Sequence, residues 1–202
     1  TASLKLNPEQ PRAYGLRASA KIAQGRLDEG IADHKESTSR DPKNSVAWAN
    51  LGYACFFAGD YSGAVKSFDK AVELDSGRRY LHPWQHLSMM QAGQADAAKT
   101  KFAKIMQADT AKRDWIDHLL SYLGGQIDGE TLIQSINDKP GVKVPQLCEA
   151  HFFIAEKHRM AGEVDMATEH FRQAIETGAK QLAAYRAANF ALKKVSTADG
   201  DN

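Results

Sequence analysis

The chain has 202 residues, 43% of them hydrophobic and 25% charged, the balance of an ordinary globular protein. Its 26 basic and 25 acidic side chains leave a net charge of +1, which removes any global electrostatic case for nucleic acid or an anionic bilayer. No apolar run approaches the ~18 residues that cross a membrane, and two cysteines, Cys55 and Cys148, make neither a metal spacing nor a disulfide framework.

From the N-terminus onward one interval recurs. Pro8 and Pro42 stand 34 residues apart, with Ser76 the same distance beyond, and Gly25, Gly59 and Gly93 keep that interval. So do Gly30, Ala64 and Ala98, and His34, Phe68 and Phe102. A period sustained in four columns is the signature of a stacked helical repeat. Residues 1–10 align with the end of a repeat's second helix, so the chain is expected to open in the last turn of a repeat from a longer, truncated parent. Repeats then follow over 11–44, 45–78 and 79–112. Residues 113–147 are a degenerate unit, with a helix in "RDWIDHLLSYL", a Gly124-Gly125 break, a short helix "GETLIQSI" capped by Asp128, and the linker "KPGVKVP". A further repeat occupies 148–181, with Gly162, Ala167, Phe171 and Ala174 in the repeating columns. A capping helix at 182–195 covers its last apolar face, and 196–202 read as a disordered tail.

The clearest unit carries Trp48, Leu51, Gly52, Ala64, Phe68 and Ala71. This resembles the tetratricopeptide repeat, a pair of antiparallel helices with the pattern W-x2-L-G…A-x3-F-x2-A. The resemblance implies an all-α fold, a right-handed α-solenoid of helix-turn-helix repeats whose first helices line a concave groove. Small residues at Gly52 and Ala64 permit close helix approach, and Trp48 and Phe68 fill the space beside them. Groove positions read off this way include Arg12 and Ser19 in the first repeat. The candidate protein-binding residues are Asn50, Tyr53, Phe57, Tyr80, Trp84, Leu87, Met90, Phe152, Glu156 and Arg159, an aromatic and apolar stripe flanked by charge. Buried aromatics there would anchor a peptide; the competing expectation is that most of them pack between helices.

A subset of such proteins holds a chaperone's C-terminal carboxylate with a Lys, Asn, Asn, Lys, Arg set. The matching positions are Gly15, Ser19, Asn50, Tyr80 and Trp84, of which only Asn50 fits, so that mode is not expected. His82 and His86 share a helix face, as do His151 and His158 near Glu156. Zinc needs three or four convergent ligands, so no metal, cofactor or catalytic site is expected.

The tryptophan-led helix of the degenerate unit, its short partner, the linker and "AHFFIAEKHRMAGEVDMATEHFRQAIETGAK" resemble, in that order, the NlpI family of bacterial outer-membrane lipoproteins. That resemblance spans about residues 45–192 and implies a periplasmic, membrane-anchored, non-enzymatic homodimer that brings cell-wall hydrolases to a protease. Without it, a cytoplasmic location would be the default. The expected function is a protein-binding adaptor with a peptide or protein partner and no nucleic acid. The alternatives are a self-assembling structural protein and, less strongly, a metalloprotein or enzyme built on the histidines.

Overall fold

The computed structural model describes residues 10–107 and 114–198. Residues 1–9, part of the expected upstream repeat, lie outside it, as do 199–202 of the expected tail. Among the described residues the regular structure is helical: α1 Pro11–Ala23, α2 Leu27–Arg40, α3 Ser45–Ala58, α4 Tyr61–Leu74, a 3-10 turn Arg79–Leu81, α5 His82–Gln91, α6 Ala95–Gln107, α7 Trp115–Leu123, α8 Gly129–Gln134, α9 Lys143–Met160, α10 Val164–Glu176 and α11 Ala183–Ala198. Two compact units divide the chain, Thr1–Ala95 and Asp96–Asn202. Ser196, Thr197 and Ala198, expected in the tail, continue α11.

In the first unit α1 pairs with α2 and α3 with α4, α2 packs on α3, and α4 on α5. The turn inside each pair follows one design. At the end of α3, Gly59 adopts φ 88°, its N–H donates to the Phe56 carbonyl, and the Asp60 N–H donates to the Cys55 carbonyl. This double bond closes a helix only if the residue at Gly59 takes a left-handed conformation, which glycine adopts without a Cβ penalty. The same two bonds recur at Gly25, Gly93, Gly125 and Gly162, so the repeating glycine column is a column of helix ends.

Helix starts are also encoded locally. Asn44 accepts from the Ala47 N–H at 3.1 Å and Asp60 from the Gly63 N–H at 2.8 Å. Asp114 and Asp117 form a reciprocal capping box on α7, and Asp128 accepts from the Thr131 N–H at 2.8 Å. The N–H bond to its carboxylate lowers the Asp128 pKa from its ordinary value.

Packing follows from the small columns. A Cβ placed on Gly52 would stand 2.6 Å from the Phe68 ring, which is itself fully buried. Ala64, Phe68 and Ala71 of α4 are all completely covered. Between α1 and α2, Asp33 accepts from Arg17 Nε at 2.6 Å and pairs with Lys21 at 2.9 Å. The Arg17 guanidinium above all, with Lys21 beside it, holds the Asp33 carboxyl below the usual range although burial opposes this.

The second unit is built around α9. It packs against α7, α8, α10 and α11, and α11 also lies on α10. Phe152, Phe153, Phe171, Ala174 and Ala188 are among its buried side chains. Trp115 at the start of α7 donates its indole N–H to Glu149 at 2.6 Å. Burial raises the Glu149 pKa, and the tryptophan bond opposes that rise. Because the Phe68 ring has no space to yield, Gly52→Ala should lower unfolding stability by about 1–3 kcal/mol; a denaturant curve with an unchanged midpoint would show the close approach to be unimportant.

Candidate functional site

The structure opens a groove in the first unit where two of the first helices of successive pairs lie side by side. Arg12, Leu16 and Ser19 fall at i, i+4 and i+7 on α1, and Val46 and Asn50 at i, i+4 on α3, so each set shares a helix face. These five residues line one cavity of about 460 Å³. His34 and Ser37 of α2 complete its wall, and Ser37 Oγ donates to the Pro11 carbonyl at 2.9 Å, tying α2 to the start of α1. Leu16 is 60% exposed and Val46 48% exposed, so two large apolar side chains stand in water at the rim. Arg12, Ser19 and Asn50 are exposed beside them. The groove can therefore cover an apolar side chain while offering a guanidinium and an amide to polar groups next to it.

The ten residues expected to make contacts divide sharply. Phe57, Trp84, Leu87 and Phe152 are 4%, 3%, 0% and 0% exposed, so they present no surface to a partner and leave the contact set. Glu156 is buried as well, bonded to Arg159 through Nη2 at 2.6 Å and Nε at 3.1 Å. Tyr53, Met90 and Arg159 are half-buried, and Asn50 and Tyr80 are exposed. The Tyr80 hydroxyl accepts from Arg78 at 2.7 Å, and Arg78 donates to Ser45 Oγ at 2.9 Å, which anchors the start of α5 to that of α3. Only Asn50 of the ten lines the first-unit groove.

The reason is visible in the aromatic stripe itself. Tyr53 meets Trp84 edge-on at a centroid distance of 5.1 Å and Phe68 at 5.2 Å, while Phe56 meets Trp84 at 5.2 Å and Tyr61 at 5.4 Å. The two Trp84 contacts join α5 to the pair before it, while Tyr53–Phe68 and Phe56–Tyr61 hold α3 to α4 within their pair. The stripe therefore lies in the packing of α3 with α4 and α5, and the open cavity lies one repeat earlier. Three positions of the carboxylate-binding set, Gly15, Ser19 and Asn50, do share the groove. Arg12 stands among them, so a cation is present although not at the expected positions.

The second unit holds another cavity, about 500 Å³, with Tyr122, Ile133 and Ile154 as apolar walls. Lys157, His158 and His170 face it together with Asp128, Glu130 and Glu163, and this mixture of signs selects no ligand charge. Lys157 donates to the Tyr122 carbonyl at 3.0 Å and its ammonium lies 4.4 Å from the centre of the Tyr122 ring. Burial lowers the Lys157 pKa, and burial with the Glu163 charge pushes the Tyr122 hydroxyl up to about 12. Of the histidines, His82 contacts Gln85 at 2.7 Å and His86 is buried. His151 bonds His170, and His158 pairs with Glu163. His170 and Glu163 were missed because one sits on the facing helix and the other is its N-cap residue, and only the pairing of α9 with α10 brings them in. Among the described residues no three His, Cys, Asp or Glu side chains are grouped to hold a metal ion. Burial above all raises both cysteine thiols, to about 11 each, the environment of an inert rather than a nucleophilic thiol.

Paired helices, glycine-closed turns and an open groove between first helices define a helical-repeat binding protein. Residues 11–44 and 45–78 match family models described as tetratricopeptide repeat, so these two stretches each carry such a repeat. Among curated relatives, the small glutamine-rich tetratricopeptide repeat-containing protein 2 of Mycosarcoma maydis is 37% identical over 79 residues, which are 39% of this chain and 22% of that protein. The chain thus spans about a fifth of that relative. The lipoprotein NlpI homolog of Haemophilus influenzae is 25% identical over 225 residues, covering 89% of this chain and 70% of that protein. Among solved structures, MamA aligns with a TM-score of 0.49 at 17% identity, over 89% of this chain and 85% of that one. No helix among the described residues is long and apolar enough to cross a membrane.

Placing Trp84 at the junction of α5 with α3 changes what its removal does. Trp84→Ala should cost about 3–5 kcal/mol of folding stability through the cavity it leaves, read from thermal or denaturant unfolding; a variant as stable as the parent would return Trp84 to the list of exposed anchors.

Proposed function

We propose that the chain is a non-enzymatic adaptor that holds a segment of a protein partner in the groove between α1 and α3. The observation that carries this reading is the coincidence of exposed Leu16 and Val46 with Arg12, Ser19 and Asn50 on one cavity. Leaving two large apolar side chains in water has no folding benefit, while covering them on binding removes apolar area from solvent. The two matched tetratricopeptide repeats support a protein-binding role. The extended similarity to the Haemophilus influenzae lipoprotein supports a membrane-associated setting, and this proposal extends it to a periplasmic adaptor toward a protease or cell-wall hydrolase.

The groove's chemistry suits an extended segment with an apolar side chain beside an acidic or amide group. Peptides selected against the chain from a random library provide the test. Leu16→Ser, Val46→Ser and Arg12→Glu should each weaken a selected peptide by about 1 kcal/mol or more, while the unfolding curve stays unchanged because all three positions are at the surface. Equal affinity of all three variants would remove the groove as the binding site.

A second reading rests on the second unit. Met160, Val164 and Met166 are 36%, 55% and 50% exposed within a short stretch around the α9–α10 turn. This apolar stretch supports self-association. Sedimentation over a range of concentrations should then show a mass that rises in the parent and stays monomeric in Val164→Glu; a monomer throughout would discard this reading.

A further inference from the structure

Three imidazoles form a ladder between α9 and α10. His151 Nδ1 lies 3.0 Å from His170 Nδ1, with the two rings 5.3 Å apart and tilted by 29°. The His170 ring is in turn nearly parallel to that of His158, at 5.6 Å and 5°. His158 then pairs with Glu163, the residue preceding α10. The ladder thus runs from a part-buried histidine in the middle of α9 to the turn that joins the two helices.

The geometry limits how many protons the ladder holds. A contact between two ring nitrogens needs one N–H and one lone pair. One added proton leaves that bond in place on the opposite side of a ring. A second proton sets N–H against N–H across 3.0 Å, and the contact cannot survive. Stacking of His170 on His158 adds like-charge repulsion as soon as both rings are charged. The charges that act on His151 are His170 and Glu169, and those on His170 are His158 and Glu169. Lys157 of α9, Tyr122 of α7, and Asp128 and Glu130 of α8 share the cavity that His158 and His170 face. Burial first, then His170, pushes the His151 pKa down to about 4; burial first, then His158, lowers that of His170.

We infer that this ladder is a proton-sensitive clasp: acid opens the first half of α10 away from α9 at the wall of the second-unit cavity, while the second half stays packed. The two halves differ in what holds them. From Val164 to His170, Ala167 is the buried side chain, with Val164 and Met166 exposed; from Phe171 onward, Phe171 and Ala174 are buried in the core. The sign follows from the lowered values. An unfolded or opened imidazole takes up a proton near its ordinary pKa of about 6.5, and the clasped one does so only at lower pH. Closure is therefore fully favoured above about pH 6.5 and weakens as pH falls from there toward about 4.

Amide hydrogen exchange of the intact chain, corrected for the intrinsic pH dependence, tests this directly. Between pH 7 and 4.5, protection of residues 164–170 should fall by about tenfold for each pKa unit separating the free and clasped imidazoles, with protection at 171–176 retained. His170→Gln keeps a hydrogen-bonding side chain but cannot titrate, and its protection should fall clearly less than the parent's over the same range, with part-buried His151 left to titrate against α10. Uniform loss across α10, or the same fall in His170→Gln as in the parent, would overturn the clasp. Imidazole nitrogen shifts give an independent readout: His151 should stay neutral at pH 5.5, and titration of His151 near 6.5 would also overturn it.

Discussion

The close approach of paired helices is the constraint on which the first unit depends. A glycine at position 52 lets the Phe68 ring lie where a Cβ would stand 2.6 Å away, and a left-handed glycine at 59 turns the chain back so that the approach can occur at all. The two demands are linked. A helix that ended elsewhere would aim α4 differently, and a larger residue at 52 would hold α3 and α4 apart. Each pair so formed still has apolar side chains on its outer face, and the Tyr53, Phe56 and Trp84 contacts consume that face in joining the next pair. What remains exposed is therefore what stacking did not need, and Leu16 and Val46 belong to that remainder.

The elements were legible in the sequence because their signals are tied to single residues. Gly25, Gly59 and Gly93 announce helix ends by a backbone requirement that no other residue meets cheaply, and each has positive φ. Asp128 announces a helix start through its side-chain oxygen, and the structure shows that bond. The irregular unit was legible for the same reason: Gly124-Gly125 interrupts it and Trp115 heads it. Interval and identity were enough, with no knowledge of what lies across the interface.

The site was less legible because exposure belongs to a pair of surfaces. A phenylalanine or tryptophan on a first helix reads the same whether it faces a partner or the neighbouring pair. Phe57, Trp84 and Phe152 were expected in the groove on periodicity, and the neighbouring helices cover all three. Asn50, a polar residue, lines the first-unit cavity. Leu16 and Val46 were passed over because a lone aliphatic residue on an amphipathic helix is the ordinary core residue. The histidine ladder was hidden for the converse reason. His151 and His158 mark one face of α9, but the partners that give them meaning, His170 and Glu163, belong to the next helix and its lead-in.

Hydroxyl-radical footprinting of the chain, alone and with a selected peptide bound, tests the central claim most directly. In the free protein Leu16 and Val46 should be oxidised readily and Phe57 and Leu87 scarcely at all. On binding, protection should appear at Leu16 and Val46 and leave the second unit unchanged. Ready oxidation of Phe57 or Leu87 in the free chain, or protection confined to the second unit, would contradict the account, since the partner would then be held by surfaces that stacking is argued to have closed or by a site outside the groove.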